Sequence, residues 1–371
     1  MDINYRLIQI GGDIKNITKP KPLSKQSRID KRIEYGESPM IYGDVNLYKR
    51  VEELWNSVRK NSNYNAARRL LYPFDNLTGP FINRSAMILA NIDALFRLTG
   101  NIGQQMLGIY RYIDVAGGPG GWTQYIQYRK PTSVGYGISL VNVDKALKWN
   151  NKIDYSRFST YNDKDGDVNV VALDFIDYVK KIYDKIDLVM ADGGFEMESR
   201  HEYLSSRLIL SESLIGLSLV SRGGNFIIKM YTTFTKFIAD IITILNHSFN
   251  EVYIFKPLMS KPTNNERYII CMGRNDYNEG VDILREVWNH GKEVKSILND
   301  YSFDELSNIN DTLTKLQLDN LTMLKSLIIG DSVKVPLYDV DRCYIFWDIP
   351  YHITSPISSQ YTPITNLSIS C

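Results

Sequence analysis

Apolar and polar positions change rhythm twice along the chain. Residues 46–70 carry Val51, Leu54, Trp55 and Val58 at three- and four-residue spacing, which predicts a helix. Residues 83–98, NRSAMILANIDALFRL, predict a second helix, ended by Gly100. From residue 110, short runs rich in β-branched and aromatic residues alternate with longer helical periods. Strands are expected at 111–116, 134–140, 168–174, 186–191, 225–230, 251–255 and 267–272, with helices at 120–129, 174–183, 202–221 and 233–248. This alternation predicts an α/β fold, a parallel sheet with helices on both faces. No helical stretch separates the last two strands, so a late antiparallel strand is expected. Residues 276–330 read as mostly helical, stopping at Gly330. The tail, 331–371, holds β-like pieces (KVPLYDV, CYIFWDI) before a Ser/Thr/Pro-rich end. Residues 1–45 are polar and turn-rich around KPKPLSKQSRIDKR, which predicts an extended, partly mobile arm.

Composition narrows the class. The chain has 371 residues, 44% of them hydrophobic and 23% charged, which excludes wholesale disorder. Lys and Arg (43) balance Asp and Glu (42), but the balance hides an asymmetry. Residues 1–69 carry 14 basic against 8 acidic residues, and residues 275–371 carry 7 against 14. A polyanion-facing basic side and an opposite acidic side, open to a protein partner, are the expectation. Cys271, Cys343 and Cys371 form no CxxC, so a disulfide framework is not expected and a reducing compartment fits. His201, His247, His290 and His352 are scattered, and no metal site is expected. The first residues lack a signal-peptide pattern and no apolar run approaches the roughly 20 residues of a membrane span. An intracellular protein, cytoplasmic or nuclear and with no membrane partner, is the expectation. High Asn, Ile and Tyr usage fits an AT-rich genome such as that of a large DNA virus.

The chemistry is concentrated in a few strings. In Asp114-Val115-Ala116-Gly117-Gly118-Pro119-Gly120-Gly121-Trp122, an apolar strand runs into a glycine-dense turn and then a helix. Glycines let backbone approach a ligand, and the helix N-terminus offers free N–H donors. The spacing is neither GxGxxG nor GK[ST], which argues against a nicotinamide dehydrogenase or a phosphate P-loop. Further on come Asp187-Leu188-Val189-Met190-Ala191-Asp192-Gly193-Gly194-Phe195, Gly223-Gly224-Asn225-Phe226-Ile227-Ile228-Lys229, and Lys256-Pro257 with Ser260-Lys261-Pro262-Thr263-Asn264-Asn265-Glu266-Arg267-Tyr268. Upstream lies Asn83-Arg84-Ser85-Ala86-Met87 with Ala90-Asn91-Ile92-Asp93.

These strings, in this order, resemble the FtsJ-like ribose 2′-O-methyltransferases, with eukaryotic and viral mRNA cap-1 methyltransferases as the nearest kin. The resemblance spans about residues 70–275 and implies three regions: a basic arm and helix (1–69), the methyltransferase domain (70–275), and an acidic, mostly helical extension (276–371). It implies a Rossmann-like seven-stranded sheet. It also implies S-adenosylmethionine as cofactor and RNA, capped mRNA above all, as substrate. Carried over residue by residue, Asp192, Lys229 and Glu266 take catalytic roles. Asn83, Val115, Ala116, Gly117, Gly118, Pro119, Gly120, Gly121, Trp122, Asp167 and Val168 take cofactor contacts. Ser260 and Asn264 take the RNA backbone, with Glu202 to Leu204 a weaker match. Apart from the resemblance, Tyr72, Tyr110, Tyr125 and Tyr231 are able to stack on bases, but packing in the core or on the surface is the favoured expectation for any one of them.

One departure matters. The family's site uses two lysines with an Asp and a Glu, and its first lysine falls at Ile88. An apolar side chain can neither bond a hydroxyl nor lower a neighbouring lysine's pKa. Arg84 lies one helical turn before it. A non-catalytic RNA- or partner-binding subunit is therefore the competing expectation.

Overall fold

The computed structural model describes residues 19–25, 29–100, 108–194, 201–336 and 338–350. The first part of the basic arm, Phe195 and the Ser/Thr/Pro-rich end lie outside the described residues.

In chain order the strands are β1 (Lys31–Tyr35), β2 (Arg111–Val115), β3 (Val134–Ile138), β4 (Phe158–Tyr161), β5 (Leu188–Ala191), β6 (Asn225–Met230), β7 (Phe249–Phe255), β8 (Arg267–Arg274) and β9 (Val294–Leu298). The helices are α1 (Val45–Val58), α2 (Tyr64–Leu71), α3 (Arg84–Phe96), α4 (Gly121–Arg129), α5 (Val168–Ile182), α6 (His201–Leu219), α7 (Lys236–Ser248), α8 (Glu279–His290), α9 (Asp304–Ile329) and α10 (Val340–Trp347). Seven strands form one sheet in the order β4-β3-β2-β5-β6-β8-β7. Only β8 runs against its neighbours, inserted between β6 and β7. The expected fold class, a mostly parallel Rossmann-like sheet with a late antiparallel strand, is the observed one.

Strand alternation sorts the core into two layers. Ile113, Val115, Val189, Ala191, Phe226 and Ile228 face α5, α6 and α7. Tyr112, Leu188, Met190, Ile227, Tyr268 and Ile270 face α3, α4 and α10. Both faces are covered, as a parallel sheet requires.

Six of the seven expected strands are present, and residues 168–174 are not one of them. That segment opens α5. The Asp167 carboxylate accepts the Asn169 N–H at 2.9 Å, and buried Val168, Val171, Ala172, Phe175, Ile176 and Val179 follow a helical period. The β-branched run hid a helix, and the true third strand is β4. Residues 46–70 divide into α1 and α2 around the polar Asn61-Ser62-Asn63. Residues 276–330 contain β9 as well as helices. CYIFWDI is not β-like: it lies mostly in α10, which Asp339 caps by accepting the Arg342 N–H at 3.0 Å.

The two charged ends do not occupy opposite sides. β1 pairs antiparallel with β9. Val51, Val58, Tyr64, Ala67 and Leu71 pack against Leu321, Leu324 and Ile328 of α9. Lys31 meets Glu286 at 2.7 Å and Lys295 meets Glu34 at 2.9 Å. Exposed ion pairs contribute little, so the β ladder and the apolar seam hold the two extensions together. The arm's basic groups are also engaged nearer the sheet. Lys19 pairs with Glu251 at 3.2 Å, and Lys25 donates to the Asn246 and Phe249 carbonyls.

Candidate active site

The sheet positions the site. Strand order reverses between β2 and β5, opening a crevice beyond their carboxyl ends. Val115 is level with Ala191, and Ala191 with Ile228, so Ala116, Asp192 and Lys229 emerge together. Because β8 is antiparallel, its first residues arrive at the same edge, with Lys229 opposite Tyr268. Glu266 precedes that strand by one residue.

Three of the expected residues therefore converge. Lys229 Nζ donates to the Asp192 carbonyl at 2.7 Å and lies 3.2 Å from Asp192 Oδ1. Tyr268 donates its hydroxyl to the same Oδ1 at 3.0 Å. Ser85 of α3 donates to Oδ2 at 2.5 Å. Burial pulls the Lys229 pKa down, but Asp192 and Glu266 outweigh it and hold the ammonium above the usual lysine value. Burial pushes Glu266 up, yet Lys229, Lys256 and Arg84 together hold its carboxyl below the ordinary range. One Glu266 oxygen is shielded and has no hydrogen-bond partner among the described residues. Ile88 is buried in the apolar layer, 4% exposed. Arg84 donates to the Met259 carbonyl at 2.8 Å, and its charge acts on Glu266.

The glycine loop is shaped by crowding. Ala116, the first residue after β2, takes φ +52°, a left-handed value that is costly for a residue with a Cβ. The Asp114 carboxylate sits directly under Gly117, accepting the Thr123 hydroxyl at 2.7 Å. At Gly118 a Cβ would fall 2.2 Å from the Leu147 carbonyl oxygen. Gly120 takes φ +99° and opens α4. Trp122 donates its indole N–H to the Ser85 carbonyl at 3.0 Å, locking the loop to α3. The loops after β3 and β4 close the same crevice: Gly118 N–H donates to Ser139 Oγ at 3.1 Å, and Val141 N–H to the Asp165 carbonyl at 2.9 Å. Asp167 and Val168 follow there, Asp167 as the cap of α5. Two buried polar atoms at this edge have no hydrogen-bond partner among the described residues: Asn83 Oδ1, beside Gly121, and Asp114 Oδ1. Burial pushes the Asp114 carboxyl up to about 7. Such orphaned acceptors suit a ligand that carries donors.

Ser260 and Asn264 lie on the loop between β7 and β8. Ser260 is buried and donates to Asn264 Oδ1 at 3.3 Å. Lys256 Nζ donates to both. Glu202 accepts the Phe234 and Thr235 N–H groups at 2.8 and 2.7 Å, fixing the turn after β6. It borders a cavity of about 140 Å³ lined by Glu37, Glu52, Glu293, Tyr48 and Tyr203. Tyr72, Tyr110 and Tyr125 are core residues, unavailable for stacking, and only Tyr231 of that group is partly exposed.

Sequence reasoning assigned no role to Ser85, Tyr268 or Glu212. Ser85 and Tyr268 stood inside quoted motifs. Glu212 had a signal of its own, a single acid in the apolar helical run LILSESLIGL. It is fully buried near Gly193, and neither carboxyl oxygen has a full hydrogen-bond partner among the described residues.

The model of the family described as FtsJ-like methyltransferase matches residues 81–274, over half of the chain. The chain belongs to the FtsJ-like methyltransferase family. Among its relatives is the cap-specific mRNA (nucleoside-2′-O-)-methyltransferase 1 of Ailuropoda melanoleuca, 30% identical over 328 residues, covering 76% of this chain and 39% of the relative. The Homo sapiens protein of the same name matches to the same extent, also at 30%. That of Xenopus laevis is 32% identical over 259 residues, covering 63% of this chain and 30% of the relative. The chain spans about two fifths or less of the length of these relatives. The FtsJ-like match takes in every residue assigned to the site, from Asn83 to Glu266.

Proposed function

We propose that this FtsJ-like chain is an S-adenosylmethionine-dependent RNA ribose 2′-O-methyltransferase acting on the first nucleotide of capped mRNA. The observation that carries the reading is the convergence of Asp192, Lys229 and Glu266 at one sheet edge, beside the glycine loop. Asn83, the loop 115–122, Asp167 and Val168 would hold the cofactor, with the orphaned Asn83 and Asp114 oxygens accepting its donors. S-adenosylmethionine, when bound, supplies an electrophilic methyl group.

The chain's own residues handle the hydroxyl. A ribose hydroxyl is a weak nucleophile and must shed its proton as it attacks. Lys229 is the group that takes it. Asp192 fixes the amine through two contacts, and is itself held by Ser85 and Tyr268. An amine held at two points by one fixed residue loses little reach to side-chain motion. The ammonium must give up its own proton first, and the two carboxylates oppose that. The capped substrate draws on the relatives' names and on the acid-and-tyrosine cavity, whose lining suits a cationic aromatic base.

The reading is tested by tritium transfer from labelled S-adenosylmethionine to cap-0 RNA, with uncapped RNA and Asp192→Ala in parallel. Transfer to cap-0 RNA that Asp192→Ala abolishes supports it. Retained transfer in that variant defeats it. A second reading, a binding subunit without turnover, is favoured by one observation: Ile88 stands buried where the family pattern has a lysine. Cofactor and RNA binding with no transfer at any pH would favour it.

A further inference from the structure

Lys256 is a lysine of the site to which the motif comparison gave no role. It follows β7 directly and is 4% exposed. Its Nζ donates to four oxygens: Glu266 O at 2.8 Å, Asn264 O at 2.9 Å, Asn264 Oδ1 at 2.9 Å and Ser260 Oγ at 3.2 Å. The loop 256–266 therefore closes on itself around one ammonium. Asn264 Oδ1 also accepts the Glu266 N–H, at 3.3 Å, so the backbone of Glu266 is held at both its N–H and its carbonyl.

We propose that Lys256 is a positioning residue, whose ammonium ties Ser260, Asn264 and Glu266 into one unit and so sets the Glu266 carboxylate against Lys229. The proposal rests on the reading of Glu266 as part of the reacting site. Four acceptors around three hydrogens leave no open donor direction for a substrate hydroxyl, so Lys256 does not replace the lysine missing at Ile88. Burial, with Arg267 and Arg84 nearby, outweighs the pull of Glu266 and brings its pKa down to about 7, so the clamp is fully charged only below neutral pH. A charge this deep is costly unless its acceptors are in place, and here the loop supplies all four. The same loop is anchored from outside by other groups. Arg84 donates to the Met259 carbonyl, Gln317 to the Thr263 carbonyl at 3.1 Å and Tyr72 to the Leu258 carbonyl at 3.3 Å. Removal of the ammonium thus leaves the loop attached while freeing its inner geometry.

The test uses the full chain, S-adenosylmethionine and cap-0 RNA, with Lys256→Met, Glu266→Gln and the double variant. Lys256→Met should lower kcat about tenfold or more and leave cofactor affinity unchanged. The double variant should be no slower than Glu266→Gln alone, because one residue acts through the other. Amide hydrogen exchange should quicken in residues 257–266 and stay unaltered around the glycine loop. Losses that multiply in the double variant overturn the proposal, and so does unchanged exchange in 257–266. If the unaltered chain transfers no methyl group, the functional reading fails by itself, and exchange still decides whether Lys256 clamps the loop. Should Lys256→Met not fold, Lys256→Gln, neutral but able to donate, carries the same measurements.

Discussion

Ser85 Oγ donates to Asp192 Oδ2 at 2.5 Å from a position one helical turn before Ile88 on the same helix. Residues three apart share a helix face, so position 88 lies on the face that carries Ser85, and its isoleucine is buried in the apolar layer. Where the resemblance expects a lysine, this helix carries Ile88. Asp192 is left with Lys229 as its ammonium partner, and Lys229 stays above its ordinary pKa.

Ile88→Lys should therefore raise methyl transfer at neutral pH and move the pH optimum down. A second cation near Lys229 favours the neutral amine. The substitution also buries a charge among Met87, Leu89 and Ile92, which costs on the order of several kcal/mol unless Asp192 compensates. Melting curves must accompany the kinetics. A folded Ile88→Lys protein with no faster transfer would sink the missing-cation account.

The unaltered chain should show a rate that climbs with pH. In the proposed reaction the base is the neutral form of Lys229, and a raised pKa leaves little of it at pH 7. Initial rates with saturating RNA and cofactor should rise with pH between roughly pH 7 and 9, by less than the tenfold per unit of a single proton lost, because Lys256 gives up its charge over the same span. A flat profile over that span would exclude Lys229 as the base.

Gly118 offers a separate test of the cofactor crevice. A Cβ there meets a backbone carbonyl, Leu147 O, which cannot swing aside as a side chain would. Gly118→Ala should push apart the loops after β2 and β3. The expected result is cofactor affinity weakened about tenfold or more by calorimetry, with far-ultraviolet circular dichroism unchanged. Unaltered affinity would show that the glycine loop does not shape the crevice.

Sheet and site were legible for one physical reason: the motifs sit at strand ends. A buried parallel strand reads as a short apolar run, and the residue that leaves it is functional. Asp192 and Lys229 leave such strands and Glu266 leads into one, and their assignment came from the resemblance of the strings that hold them. Residues 168–174 misled because Val-Asn-Val-Val-Ala has strand composition, while its helix is dictated by the Asp167 cap and by burial against the sheet. β9 and the docking of the basic arm were invisible because they depend on each other across more than 250 residues, and local periodicity carries no such information. Lys256 was quoted but gained no role, since its partners Asn264 and Glu266 come from the far end of a loop.

Glu212 yields a prediction about stability with a definite sign. Burial pushes its carboxyl from 4.5 up to about 8, more than the nearby Lys229 ammonium and the Gly193 N–H pull it back. The folded chain thus binds this proton more tightly than the unfolded chain. Its contribution to stability is fully present below the unfolded pKa of about 4.5 and is lost as pH rises through about 8. Glu212→Gln keeps the shape and cannot ionise. Near pH 4 its melting temperature should stay close to that of the unaltered chain, and the two should part steadily as pH rises above the unfolded value. By pH 8.5 the variant should be the more stable of the two, by on the order of a few kcal/mol. Parallel melting curves across that range decide the matter. A difference that stays constant with pH would mean that Glu212 is already ionised in the folded chain and paired with Lys229. In that case Glu212→Gln should also lower the Lys229 pKa and shift the rate profile toward neutrality.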